Sequence, residues 1–179
     1  AACRQFIGMF AFALWDRDLR TLTLVRDRLG IKPLYFAALD GELLFGSELK
    51  PLMYAMEKNP PLDRNALRAY MRHGYIPAPH TVFCGVHKLE PGVILTFDAD
   101  FTRREVRFWT LDEAIQGARN SGEQIDDHTR IEQLEALLMD AVGRRMGADV
   151  PLGAFLSGGI DSSTVVAMMQ AQSDRPVRT

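Results

Sequence analysis

Near its C-terminal end the chain reads Leu156-Ser157-Gly158-Gly159-Ile160-Asp161-Ser162-Ser163. A short apolar run, 150 to 156, precedes it and predicts a strand. Thr164 to Gln170 follows and predicts a helix. Strand, Ser/Gly-rich loop and helix together present bare backbone N–H groups to an anion, and the helix dipole adds positive charge there. Gly158 and Gly159 carry no Cβ, so the backbone can turn tightly and approach a phosphate closely. Ser157, Ser162 and Ser163 add hydroxyl donors, and Asp161 can hold a magnesium ion or a water. The bland alternative is a Gly/Ser turn with a serine N-cap on an ordinary helix.

The loop is not a Walker A motif, because no lysine lies inside it. Without that lysine it suits a released pyrophosphate better than a transferred γ-phosphate. It resembles the Ser-Gly-Gly-x-Asp-Ser loop of the ATP pyrophosphatases, which adenylate a substrate and release pyrophosphate. NAD, GMP and argininosuccinate synthetases and tRNA-modifying enzymes share such a loop.

Bulk properties narrow the class. The chain has 179 residues, 47% hydrophobic and 25% charged, which fits one ordinary domain or two small ones of globular type. A net charge of −2 indicates no nucleic-acid partner. The apolar runs are too short for a membrane span, and no signal peptide is visible. Cys3 and Cys84 form neither a disulfide framework nor a metal spacing, so a cytoplasmic location is expected. The start without Met, and the stop shortly after the first helix of a nucleotide domain, predict a fragment cut at both ends.

Along the chain, Met9–Trp15 and Thr21–Val25 predict a hairpin, as do 34–37 and 43–46 around Asp40-Gly41. A short helix opens at Ser47, and Asp63 predicts the N-cap of the next. Residues 76–92 are a Pro- and Gly-punctuated connection, followed by strands at 93–97 and 106–109. The polar stretch 116–127 reads as a linker. Ile131, Leu134, Leu138, Val142 and Met146 then recur at helical spacing.

The N-terminal half makes the resemblance specific. Gly8–Asp16, Arg26-Asp27-Arg28-Leu29-Gly30-Ile31-Lys32-Pro33-Leu34-Tyr35, Phe45–Lys50 and Leu89-x-Pro91-Gly92, in that order before the loop, resemble the glutamine-hydrolysing asparagine synthetase family. Tyr75–His80 is similar to a bacterial branch whose members include enzymes acting on other acceptors.

The resemblance implies an α+β fold: the C-terminal part of an Ntn-hydrolase-like antiparallel β-sandwich over 1–115, a linker at 116–127, and from 128 to 179 the start of an α/β PP-loop domain. It implies ATP and Mg2+, with glutamine and aspartate, or another carboxylate acceptor, as substrates; a homodimer is left open. Ser157, Gly158, Gly159, Asp161 and Ser162 are the implied pyrophosphate contacts, Asp161 also the magnesium contact, and Leu156 touches the nucleotide. An asparagine synthetase is the first functional reading. A ligase for a sugar acid or peptide, and a non-catalytic nucleotide-binding remnant, are the others. No glutaminase residue is assigned. That nucleophile must be the first residue, its own α-amine serving as base, whereas Cys3 has two residues ahead of it.

The remaining candidates take structural readings. His73, His80, His87 and His128 are expected at the surface, Arg26-Asp27-Arg28 as an ion pair shaping its loop, and Trp15 and Trp109 as strand anchors. Met53, Met56, Met71, Met168 and Met169 are expected to fill cores.

Overall fold

Two short hairpins with the same turn chemistry frame the N-terminal half. Strands β1 (Ala11–Asp16) and β2 (Thr21–Arg26) pair antiparallel, and the Asp16 carboxylate accepts from the N–H groups of Asp18 and Leu19 in the turn. Asp98 does the same for Asp100 and Thr102, between the strands Val93–Phe97 and Arg103–Arg107. A short aspartate that caps its own turn is why each chain reversal falls where it does.

The computed structural model describes residues 2–39, 41–58, 60–120 and 125–179, in two units, Ala1–Asn120 and Ser121–Thr179. Asp40 of the expected Asp40-Gly41 turn and residues 121–124 of the expected linker lie outside the described residues.

In the first unit, β3 (Tyr35–Leu39) lies between β4 (Glu42–Gly46) and β5 (Val86–Lys88). With β6 (Val93–Phe97) and β7 (Arg103–Arg107), the other sheet has the order β1-β2-β6-β7. All pairs are antiparallel. Alternation along β6 buries Val93, Leu95 and Phe97, which meet Leu24, Leu34, Phe36 and Leu89 in one core. The Phe36 and Phe97 rings, one from each sheet, stand 5.8 Å apart edge to face, so the sheets pack face to face. The back of β3 and β5 is covered by α1 (Leu49–Ala55), whose Leu52 is buried against Ala37 and Val86. Burying such a leucine contributes about 2 kcal/mol.

Helix α2 (Arg64–His73) starts where Asp63 accepts from the N–H groups of Asn65 and Ala66, as expected, and ends at Gly74 in the left-handed conformation. Several expectations shift. β5 falls inside the presumed connection 76–92, because three residues with a His and a Lys show no alternation of their own. β3 supplies their partner, and the Lys88 ammonium donates to the Ile76 carbonyl.

The last strand lies at 103–107 rather than 106–109, since pairing resumes as soon as the Asp98 turn closes, Phe97 opposite Arg103. Its Arg/Glu sequence hides strand character but guards an edge. Trp109 therefore lies beyond the strand. Residues 116–120, read as linker, continue α3 (Leu111–Asn120), with Asp112 and Glu113 in its first turn and Arg119 in its last. Met71 is exposed, whereas Met53 and Met56 pack on the Leu52 cluster and Met169 is buried.

Arg26 and Asp27 form no salt bridge among the described residues; both side chains are spent on backbone. Asp27 is buried, and its carboxylate accepts from the N–H groups of Phe10, Leu29, Ile31 and Lys32 at 2.9–3.3 Å. Arg26 donates to the carbonyls of Gly30, Lys32 and Leu89. Burial lowers the Arg26 pKa, and the charge of Asp27 offsets part of that lowering through space. Asp27→Asn keeps the shape but turns an N–H donor toward other N–H groups. It is expected to destabilise the unit by roughly 2 kcal/mol. Urea unfolding of the full-length protein tests this; an unchanged midpoint would rule it out.

His87 is half-buried on β5, its ring 5.3 Å from that of Phe36 and tilted 31° to it. Burial lowers its pKa below the ordinary 6.5, and the positive charges of Arg103 and His80 lower it further. The folded state thus binds this proton less readily than the unfolded chain. The resulting penalty is absent well above about pH 6.5 and grows as pH falls through that value. Replacing His87 by Phe should flatten the loss of stability between pH 7 and 5, measured as urea midpoints at both. Parallel midpoint shifts in parent and variant would discard the assignment.

The second unit holds α4 (Asp127–Gly143) and α5 (Ile160–Ala171). Asp126 caps α4 through the N–H of Thr129, and the Gln172 amide at the end of α5 donates to the Met139 carbonyl of α4. The expected strand at 150–156 is reduced to one parallel bridge, Gly153 to Arg178, with the Ala154 N–H donating to the Arg178 carbonyl. A ladder needs a partner along its length; among the described residues only Arg178 bridges to this segment, which also has a proline at 151. The bridge is parallel, and its two segments are joined through α5. No helix among the described residues is long and apolar enough to cross a membrane.

Candidate functional site

The loop Ser157–Gly159 leads directly into α5, which begins at Ile160, four residues earlier than expected. Asp161, Ser162 and Ser163 therefore sit on its first turn. The N-cap is Gly159, with extended backbone (φ −78°, ψ 161°) and no side-chain cap. This departs from an ordinary serine-capped helix. The first intrahelical bond runs from the Ser163 N–H to the Gly159 carbonyl, which leaves the N–H groups before it open to an acceptor.

Two hydroxyls flank that opening. Ser162 Oγ donates to the Gly159 carbonyl at 3.1 Å and lies 3.1 Å from Ser157 Oγ. Of the two glycines, only Gly158 has a left-handed backbone, φ +81°. A Cβ on Gly159 would meet Ser157 Oγ and Ser162 Oγ at ordinary distances of 3.6 and 3.9 Å. The conformational requirement for glycine thus falls on Gly158, a distinction that two adjacent glycines in a sequence do not reveal.

Gly158→Ala meets no neighbour within 4 Å, so its effect is backbone strain alone, about 1–2 kcal/mol. That cost is expected as a lower unfolding midpoint of the full-length protein, and an unchanged midpoint would count against a left-handed requirement at Gly158.

The six residues expected at the site all fall within 156–162, on the loop and the first turn of α5. Leu156 is half-exposed, and the side chain of Asp161 is exposed with no hydrogen bond or ion pair among the described residues. No group of three His, Cys, Asp or Glu side chains able to hold a metal occurs among the described residues. A cation at Asp161 would take its other ligands from phosphate oxygens and water. A cavity of about 420 Å³ in this unit is lined by Met146, Leu152, Met169, Arg175 and neighbours, and by none of the six. In the first unit Cys3 lies in a 3-10 turn (Ala2–Arg4), half-buried and free.

The family model described as glutamine amidotransferase domain matches residues 1–109, and that described as asparagine synthase matches residues 133–179. The chain is 39% identical to a protein of Methanocaldococcus jannaschii named putative asparagine synthetase [glutamine-hydrolyzing] 2, over 96% of this chain and 32% of that one. It is 35% identical to asparagine synthetase [glutamine-hydrolyzing] 1 of Bacillus subtilis, over 93% of this chain and 25% of that one. Amidase chyE of Penicillium rubens is 34% identical over 90% of this chain and 23% of its own length. The chain thus spans a quarter to a third of the length of the first two relatives. With the first match covering most of the chain and the second following it in order, the chain belongs to the glutamine amidotransferase domain family, and its C-terminal part is similar to the asparagine synthase family.

Proposed function

We propose that this chain is part of an asparagine synthetase, a carbon–nitrogen ligase that converts aspartate, ATP, glutamine and water to asparagine, AMP, pyrophosphate and glutamate. In this reading residues 1–115 belong to a class II amidotransferase domain of Ntn type, 116–127 form the linker, and 128–179 belong to the synthetase domain. The observation that carries the proposal is the uncapped start of α5 behind a left-handed Gly158, within the stretch that matches the asparagine synthase model.

The roles follow from charge. A free carboxylate resists attack by ammonia, so it must first be joined to a good leaving group, AMP. When the acceptor carboxylate attacks the α-phosphorus, negative charge builds on the departing pyrophosphate. The open N–H groups at the start of α5 point donors at that charge, and the Ser157 and Ser162 hydroxyls, bonded to each other and to the Gly159 carbonyl, add donors once they turn toward it. Gly158 and Gly159 let the backbone come close, and Leu156 lies against the nucleotide. Asp161, unbonded on the first turn, is the residue that would hold magnesium, and the ion supplies compensation for the phosphate charge.

Aspartate-dependent pyrophosphate release from ATP by the full-length protein tests the reading. Release with another acid, and none with aspartate, would replace it. The likeness of Tyr75–His80 to a branch acting on other acceptors supports that second reading, a ligase for a sugar acid or peptide, and a panel of acceptor acids separates the two.

A further inference from the structure

Gln170, in the last turn of α5, spends its whole amide on the turn that follows. Its Nε2 donates to the carbonyls of Ser173 and Arg175 at 3.2 and 3.3 Å, and its Oε1 accepts from the Val177 N–H at 3.0 Å. Three backbone groups across 173–177 thereby take fixed places relative to the helix. Ser173 completes the turn: its Oγ donates to the Arg175 carbonyl and accepts from the Arg175 N–H.

The residue after Val177 is Arg178, the parallel partner of Gly153, whose carbonyl accepts from the Ala154 N–H at 2.9 Å. Ala154 lies three residues before Ser157. The backbone therefore closes a circuit: from α5 through the Gln170 turn to Arg178, across to Gly153 and Ala154, and through the loop back to the start of α5. A single bridge has little of its own to set register. What sets it here is the turn, and what shapes the turn is Gln170. Gln172 has a different task, donating to the Met139 carbonyl of α4 and the Met168 carbonyl of its own helix.

We propose that Gln170 is a positioning residue for the phosphate loop: by shaping the turn after α5 it fixes the segment that leads into Ser157–Ser162. The inference rests on the reading of that loop as a pyrophosphate site. Glutamine fits the position because two carbonyls need donors and one N–H needs an acceptor. Glutamate has no donor when ionised, and methionine offers neither.

The test compares the full-length parent with Gln170→Met and Gln170→Glu. It follows pyrophosphate release against ATP concentration and, separately, glutamate release from glutamine. Both variants are expected to raise the KM for ATP about fivefold or more while the glutaminase constants stay as in the parent. An unchanged KM for ATP in both variants overturns the inference. So does an equal loss of the two activities in both, since a positioning residue of this loop moves the ATP parameters alone. A collapse confined to Gln170→Met leaves Gln170→Glu, which keeps the acceptor and the shape, to decide by the same readings. A parent without ATP-dependent pyrophosphate release would instead strike the functional reading on which the inference rests.

Discussion

Gly92→Ala is expected to destabilise the amidotransferase unit by about 4 kcal/mol, the sum of a left-handed residue given a side chain and an overlap that cannot relax. Gly92 has φ +68°, and a Cβ there would fall 2.3 Å from the backbone carbonyl oxygen of Trp109. Neither partner is free to move. The Gly92 N–H donates to the Asp27 carbonyl at 3.0 Å, and its own carbonyl accepts from Phe108 at 2.8 Å. Shifting the strand end would break both bonds beside the buried Asp27.

The control is Gly74→Ala. Gly74 has φ +75° but nothing within 4 Å of its Cβ position, so it carries strain without overlap and should cost about 1 kcal/mol. Thermal and urea unfolding of the full-length protein, with glutamate release as the functional reading, should separate the variants by several degrees. Equal destabilisation by both would show that the Trp109 contact yields.

Asp161→Asn is expected to slow pyrophosphate release by about 10²–10³, the effect of losing one charge-assisted contact to a developing anion, and to leave glutamine hydrolysis largely intact. The substitution is isosteric, and Asp161 makes no hydrogen bond or ion pair among the described residues, so folding should not change. What is lost is the charge that would recruit magnesium against the phosphates. Pyrophosphate and glutamate release measured side by side decide it. A parallel fall of both would make the loop a folding element, and no fall in either would remove Asp161 from the site.

Much of the candidate site's layout was legible without coordinates, because its geometry is local. Ser157, Gly158, Gly159, Asp161 and Ser162 are consecutive or nearly so, and a helix start brings them together wherever it forms. The hairpin turns at Asp16 and Asp98, and the Asp63 cap, were legible for the same reason: each aspartate bonds backbone within four residues of itself.

What escaped depends on partners distant in the chain. β5 exists because β3 lies beside it, and β7 begins at Arg103 because Phe97 stands opposite. Asp27 reaches back to Phe10 and Arg26 forward to Leu89, so a dipeptide that reads as an ion pair is instead a double clamp on loops. Gln170 reads as an exposed helical residue until the turn it shapes returns Arg178 to Gly153.

The sequence by itself determined the fold's punctuation and the layout of the Ser157–Ser162 loop, since both arise from interactions a few residues apart. Only the tertiary structure decided which glycine must be left-handed, which polar side chains are buried on backbone, and what holds the loop in place. Those outcomes depend on long-range register, which local propensity does not encode.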